Sequence, residues 1–174
     1  MCATLFRAVY FTRSRSLVRV QYCPPPLFSS LLDIRSKIVS EENKRLVNRI
    51  FDEAISSGIY DVIDELIAPD YVSHGLPMSI NGPQGLRQSI ETFRSAFPDL
   101  YMLVEEQIAD GDQVSNQGYI TGTHRGEFLG VPASGEQIKV NVISIWRFEN
   151  SKVVENWVQI DYMSLMRQIG AVTG

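Results

Sequence analysis

The stretch QIKVNVISIWRF, residues 137–148, decides the fold class of this chain. Every second residue of a β-strand lies on the same face. One face of this stretch carries Val140, Val142, Ser144, Trp146 and Phe148. The opposite face is also apolar at Ile143 and Ile145. Because a strand that is apolar on both faces is covered on both sides, we expect a second buried face, either at a subunit interface or under the N-terminal tail.

Further strand-like segments surround this stretch and predict a meander. We expect four long strands at residues 101–108, 114–124, 137–148 and 153–160. The turn signals DGD and ENSK join the first pair and the last pair of these strands. The segment YVSHG, residues 71–75, predicts a short strand earlier in the chain.

Helical periodicity fills the chain before the meander. The first helix is expected to begin with Ser40 as its N-cap and to end at Gly58. A second helix is expected to end before Pro69, a third spans residues 84–97, and a last short helix is capped by Asp161. The order α-α-β-α-β-β-β-β-α keeps helices apart from an antiparallel sheet, so the predicted fold class is α+β.

Composition excludes several classes of protein. The chain has 174 residues, 44% of them hydrophobic and 21% charged, with a net charge of -4, as in one soluble globular domain with a tail. The acidic balance argues against a nucleic-acid-binding surface, and no apolar run approaches the ~18 residues of a membrane span.

Cofactor and metal signals are missing from the sequence. Both cysteines, Cys2 and Cys23, lie in the tail, which argues against a disulfide or a cysteine-ligated zinc site in the main domain. The only two histidines are far apart, and no GxGxxG or Walker-type loop is present. We therefore expect neither a metal nor a cofactor.

Residues 1–38 are interpreted as an N-terminal extension of a domain that spans residues 39–174. Its first 32 residues hold four arginines and no acidic residue, which is typical of a mitochondrial or plastid transit peptide. The alternative is a start site assigned too far upstream, with the true start near Val39 and a cytoplasmic location. Prolines 24–26 favour an extended segment there, and we expect the extension to be poorly ordered.

Four segments carry a resemblance to a known family. They are FDEAISSGIYDVIDELIAPDYVSHG (51–75), GLRQSIETFRSAFPDL (85–100), TGTHRGEFLGVPASG (121–135) and VVENWVQIDYMSLMRQIG (153–170). With the element order, they resemble the SnoaL-like polyketide cyclases, or ester cyclases, of the nuclear transport factor 2-like superfamily over residues 43–172. The resemblance implies a cystatin-like, cone-shaped α+β barrel, in which helices wrap a curved antiparallel sheet and a ligand pocket opens at one end. It also implies a homo-oligomer formed through the outer face of the sheet.

The resemblance also implies where chemistry takes place. In ring-closing members an aspartate on the last strand moves protons during an aldol condensation, and Val158, which cannot transfer a proton, stands at that position. His74 matches a frequent pocket residue and is either the proton-transfer residue or a rim residue that shapes binding. Asn156 shares the strand face of Val158 and either holds a carbonyl or enolate oxygen or is only a polar pocket residue.

The remaining expected pocket residues are Val142, Ser144, Trp146, Val158 and His124. His124 either reaches a ligand from the pocket mouth or is a solvated turn residue. Two classes of function follow for a small, apolar, carbonyl-bearing ligand of polyketide type: a cofactor-free enzyme using acid–base chemistry, or a non-catalytic binding or accessory protein on the same fold. A pocket without a titratable side chain near the ligand carbonyl favours the second class.

Overall fold

The computed structural model describes the backbone of residues 6–11, 17–22, 26–75 and 80–172, and the side chains of residues 34–75 and 80–172. The chain divides into two units, residues 1–36 and 37–174. The first unit contains an antiparallel hairpin of β1 (Phe6–Phe11) and β2 (Leu17–Tyr22). The nature of the extension over residues 1–38 stays a prediction, since most of its side chains lie outside the described residues.

Helix α1 is longer than the sequence pattern predicts. It spans Pro26–Arg49 and continues into a π-helical segment, Ile50–Ser57. Ser40 lies inside this helix, so its predicted role as N-cap is wrong. Pro26 suits the first helical position because the N–H that proline lacks would have no acceptor there. Gly58 ends the helical run as predicted, with φ at +72° and its N–H donated to the Glu53 carbonyl.

The π-helical segment is held by a side chain from a later helix. Residues Ile50, Phe51 and Ala54 of the segment are buried. Arg94 Nη1 donates to the carbonyl oxygens of Ile55 and Ser56, both at 2.8 Å. These two contacts satisfy carbonyls that a helix end leaves without a partner.

The second unit is built on one six-stranded sheet in the order β4-β3-β8-β7-β6-β5. Its strands are β3 (Ile67–His74), β4 (Ile80–Asn81), β5 (Tyr101–Asp110), β6 (Gln113–Thr123), β7 (Gln137–Glu149) and β8 (Lys152–Ile160). Neighbouring strands are antiparallel except β3 and β8, which are parallel, so the predicted antiparallel sheet needs correction for that pair. Among the described strands nothing pairs β4 with β5, so the curved sheet is open rather than a closed barrel.

Bulges bend the sheet around the helices. Register shifts interrupt the β5–β6 pair, the β7–β8 pair and the β3–β8 pair, and a bulge bends its strand. Helices α2 (Asp61–Leu66) and α3 (Gly82–Ala96) pack against this sheet. The prediction that Pro69 ends α2 directly is wrong. Pro69 lies within β3 at the bulge, a position that tolerates a residue without an N–H.

The alternation predicted for residues 137–148 is confirmed. In β7 the residues at even positions from Ile138 to Phe148 are buried. Ile143 and Ile145, on the other face, are 54% and 36% exposed. The hydrophobic core therefore lies between one face of the sheet and the helices, while the other face keeps exposed apolar side chains.

The chain ends in a short helix, α4 (Tyr162–Gln168). Asp161 accepts a hydrogen bond from the Ser164 backbone N–H at 2.9 Å, which confirms its prediction as the N-cap. Over the described part of the chain, the helices are too short or too polar to span a lipid bilayer.

Candidate functional site

A mainly apolar cavity of about 90 Å³ lies between the inner face of the sheet and the helices. It is lined by Phe51, Ile55, Ser73, Leu86, Ser89, Ile90, Phe93, Leu100, Met102, Ile120, Val142, Ser144, Trp146, Asn156, Val158 and Ile160. Its polar groups are serine hydroxyls and one asparagine amide. The cavity is therefore suited to an apolar molecule that carries few hydrogen-bonding atoms.

Strands β7 and β8 supply the wall that the sequence predicted. The lining includes Val142, Ser144 and Trp146 from β7, and Asn156 and Val158 from β8. The antiparallel register sets Ser144 opposite Val158 and Trp146 opposite Asn156. Strand alternation turns all five side chains to the same inner face, so the structure brings together five of the seven predicted site residues.

Helix α3 and the π-helical segment supply the opposite wall. The α3 residues in the lining are Leu86, Ser89, Ile90 and Phe93. Their spacing of three and four residues aligns them along one helix face. Ser89 and Phe93 are half-buried, whereas Leu86 and Ile90 are buried, so Ser89 and Phe93 are the α3 lining residues nearest to solvent.

Asn156 is fixed on both sides of its amide. Its Oδ1 accepts a hydrogen bond from Ser73 Oγ at 3.3 Å, and its Nδ2 donates to the Ile145 carbonyl at 3.1 Å. The side chain is only 3% exposed. An amide nitrogen has two hydrogens, so the second Nδ2–H remains available to a ligand in the cavity.

Ser144 offers a second donor on the same wall. Its Oγ accepts a hydrogen bond from Trp146 Nε1 at 2.9 Å. Because the indole N–H can only donate, the Ser144 hydroxyl hydrogen is free to donate elsewhere. Ser144 lies diagonally across the strand pair from Asn156. The Cα atoms of such diagonal neighbours are about 7–8 Å apart, and their Cβ atoms are somewhat closer. One ligand oxygen can therefore lie between the two donors.

Ser73 extends this polar wall, and Tyr71 precedes it on the same strand without belonging to the cavity lining. The sequence predicted neither residue. Tyr71 is fully buried, and its phenol oxygen has no hydrogen-bond partner within the described residues. Burial raises the pKa of the Tyr71 phenol, an effect that the nearby Ser73 hydroxyl partly offsets. Alternation within YVSHG could have identified the pair, because it turns Tyr71 and Ser73 to one face and His74 to the other.

His74 lies outside the cavity, which corrects its predicted position in the pocket. The register of β3 places His74 beside Trp157, and the two rings stack with centroids 5.2 Å apart. The His74 side chain is 42% exposed, and its Nε2 lies 3.4 Å from Glu155 Oε1. Arg147, and to a smaller extent His74, lower the pKa of Glu155. His74 is thus part of a charged cluster on the outer face of the sheet.

His124 also lies outside the cavity lining, and neither of its two predicted environments is observed. It is fully buried, so it is not a solvated turn residue. Its ring stacks on Phe97 at 5.2 Å. Its Nδ1 lies 3.0 Å from Ser134 Oγ and accepts from the Ser134 backbone N–H at 3.2 Å. These contacts give His124 a structural role in closing the loop over residues 125–135.

Acidic and metal-binding side chains do not gather at this site. Across the residues that the structure describes, no three His, Cys, Asp or Glu side chains come close enough to hold a metal ion. Val158, at the position where the family resemblance places a catalytic aspartate, contributes an apolar surface to the cavity. The chemistry available at the described wall is hydrogen-bond donation from neutral groups.

Two curated relatives are methyl ester cyclases by name. Nogalonic acid methyl ester cyclase of Streptomyces nogalater is 26% identical over 123 residues, which cover 67% of this chain and 90% of that protein. Aklanonic acid methyl ester cyclase DnrD of Streptomyces peucetius is 27% identical over 129 residues, covering 72% of this chain and 88% of that protein.

Solved structures share the fold. A SnoaL-like protein from Jannaschia sp. CCS1 superposes with a TM-score of 0.71 at 28% identity, covering 77% of this chain and 95% of that chain. TsrD from Streptomyces laurentii superposes with a TM-score of 0.70 at 26% identity, covering 76% of this chain and 97% of that chain. A family model described as SnoaL-like polyketide cyclase matches residues 45–169. The sequence motifs, the curved open sheet and these matches agree, and the chain belongs to the SnoaL-like polyketide cyclase family.

Proposed function

We propose that this chain acts on a small, apolar, carbonyl-bearing molecule of polyketide type, which it binds in the cavity and polarises at the carbonyl. The observation that carries the proposal is a pair of neutral donors, Asn156 Nδ2–H and the Ser144 hydroxyl, on the wall of an apolar cavity. Both groups are held in place by hydrogen bonds to their neighbours, so they need no rearrangement to receive an oxygen.

The two donors stabilise negative charge that develops on the ligand oxygen. When a proton leaves the carbon next to a carbonyl, the electron pair moves to the oxygen and an enolate forms. Hydrogen bonds aimed at that oxygen inside a water-poor cavity stabilise the enolate more than the neutral ketone. The proposal needs no cofactor. It assigns the proton to a hydroxide ion or buffer base that reaches the ligand carbon from the solvent side of the cavity, rather than to His74, which lies on the other face of the sheet.

Proton exchange at the carbon beside the carbonyl tests this role without knowledge of the natural substrate. Acetophenone is incubated in D2O with the protein, and replacement of its methyl hydrogens by deuterium is followed by NMR. We expect faster exchange with the wild-type chain, and slower exchange than wild type with the Asn156→Leu variant, which keeps only the Ser144 donor. Equal rates with and without wild-type protein contradict the catalytic part of the proposal.

A second candidate function is ligand binding without reaction. The composition of the lining favours it, because none of the described lining residues is an acid, a histidine or another titratable group, and Val158 places a side chain without a proton to transfer in the wall of the cavity. Calorimetric binding of acetophenone together with unaccelerated exchange identifies this second function. The two measurements on one ligand therefore separate an enzyme from an accessory protein.

The outer face of the sheet supports self-association as a further part of the proposal. Ile143, Ile145 and Trp157 lie on that face, and between 36% and 54% of each is exposed. Packing this face against a second copy buries these side chains. Analytical ultracentrifugation is expected to show an oligomer that Ile143→Glu dissociates and that Gln88→Glu, at an exposed position of α3, leaves intact. A monomeric wild-type chain contradicts self-association without affecting the cavity.

A further inference from the structure

The volume of the cavity limits what it can hold. It measures about 90 Å³, whereas an apolar cavity of about 150 Å³ holds one benzene molecule. Ligand pockets for drug-sized molecules usually measure about 300–1,000 Å³. The enclosed part of this site is therefore smaller than a cavity that holds benzene, and it sets an upper limit of one ring or a short alkyl chain on what can be buried there.

Trp146 limits the volume on the sheet side. It is the largest side chain of the lining, is 4% exposed and packs edge-on against Phe51 with centroids 5.7 Å apart. Its Nε1 is also tied to Ser144 Oγ at 2.9 Å. A rotation of the indole breaks this hydrogen bond and leaves a buried N–H without a partner, which is costly. The ring is therefore a fixed wall and not a movable gate.

Phe93 limits the volume on the helix side. It contacts Phe128 with ring centroids 5.0 Å apart, and Phe128 in turn packs against Phe97 at 5.4 Å. Phe128 is 2% exposed although it belongs to a loop. Because packed interiors resist continuous deformation, this aromatic cluster holds Phe93 against outward movement.

We propose that Trp146 is the residue that determines ligand size, and that the site accepts carbonyl compounds whose buried part is no larger than a single six-membered ring or a chain of similar bulk. This inference rests on the proposed function, since it assumes that the carbonyl lies at Asn156 and Ser144. The hydrogen bond from Trp146 to Ser144 affects both ligand size and carbonyl binding. It fixes the indole as a wall of the cavity, and it orients the Ser144 hydroxyl, which is one of the two carbonyl donors.

The test uses three methyl ketones that differ only in ring number: acetophenone, 2-acetonaphthone and 2-acetylanthracene. Their dissociation constants are measured by isothermal titration calorimetry with the full chain. The chain has two tryptophans, and Trp157 lies on the outer face. In a Trp157→Phe variant, the remaining fluorescence comes from Trp146, so its quenching shows whether a ketone enters the cavity.

We expect the wild-type chain to bind acetophenone most tightly and to lose at least about tenfold in affinity with each added ring, since overfilling a packed site is unfavourable. The Trp146→Ala variant is expected to bind 2-acetonaphthone more tightly than acetophenone. If that variant does not fold, Trp146→Leu replaces it as the test of Trp146, and the wild-type series tests the size limit on its own.

Each contrary outcome has a distinct meaning. Equal affinity of the wild-type chain for one-ring and three-ring ketones overturns the size limit and leaves the proposed function standing. Binding heat without quenching of Trp146 overturns it as well, because the ligand then lies elsewhere. If none of the three ketones binds, the size limit and the proposed function both fail.

Discussion

Replacing Asn156 by leucine removes one carbonyl donor while keeping a side chain of similar size. In the free protein the variant loses the bonds from Ser73 Oγ and to the Ile145 carbonyl, at 3.3 and 3.1 Å. At about 0.5–1.5 kcal/mol for each hydrogen bond, the free energy of unfolding falls by about 1–3 kcal/mol. We expect a lower melting temperature and a chain that still folds at 25 °C.

The same variant loses one hydrogen bond to the ligand carbonyl. A net loss of about 0.5–1.5 kcal/mol weakens acetophenone binding by about 2- to 13-fold. Ethylbenzene has a similar shape and no carbonyl, so its affinity for Asn156→Leu is expected to equal or exceed its affinity for the wild-type chain. Titration calorimetry of both ligands with both proteins gives the comparison.

Ser73→Ala is the matched control. It removes the hydroxyl that donates to Asn156 and leaves the hydrogen bond from the Asn156 side-chain amide to the Ile145 carbonyl in place. It is expected to weaken acetophenone binding less than Asn156→Leu does. Unchanged acetophenone affinity in Asn156→Leu refutes the assignment of this donor, and an equal loss of affinity for ethylbenzene refutes it too, since cavity shape is then the cause.

Three further predictions concern stability. Gly118→Ala places a Cβ 1.9 Å from the Leu103 carbonyl oxygen, and the free energy of unfolding in urea is expected to fall by at least about 3 kcal/mol. The control Gly111→Ala, where nothing lies within 4 Å and φ is +59°, is expected to cost about 1 kcal/mol. Similar losses in the two variants contradict the close approach at Gly118. Asp161→Ala removes the N-cap of α4 and is expected to lower the free energy of unfolding by about 1 kcal/mol. Asp161→Asn keeps a capping oxygen and is expected to retain most of the wild-type stability. Equal losses in the two variants contradict a stabilising role for the cap. The Thr123 hydroxyl and backbone N–H hold the pKa of Asp99 below its ordinary value, so its stabilisation is complete above the unfolded pKa of about 4 and is lost as the pH falls through the lower folded pKa. Asp99→Asn is therefore expected to flatten the acid limb of stability against pH, and an unchanged limb contradicts this role.

The sequence predicted the inner wall of the site because that wall follows from strand alternation. Ser144, Trp146 and Asn156 lie on predictable faces of long, regular strands, and Gly58 and Asp161 end and begin helices through local chemistry. Such features depend on residues close together in the chain, so the sequence is sufficient to place them.

The two histidines show what the sequence could not supply. Alternation separates His74 from Tyr71 and Ser73, but which of the two faces lies inward depends on the parallel pairing of β3 with β8, a contact between strands about 80 residues apart. His124 is buried because Phe97 and Ser134 come from two other segments to cover it. A residue's type indicates which chemistry it can perform, but its surroundings here are set by distant segments.

The π-helical segment gives the cavity an adjustable side. Each of its backbone hydrogen bonds spans one more residue than in an α-helix, and Arg94 stabilises the end of the segment by binding backbone oxygens rather than any particular side chain. Loss or gain of a single codon between positions 51 and 55 therefore changes how Phe51 and Ile55 are rotated relative to each other. Ligand preference can thus diverge between related genes through changes in length here, without remodelling the sheet that holds the polar groups.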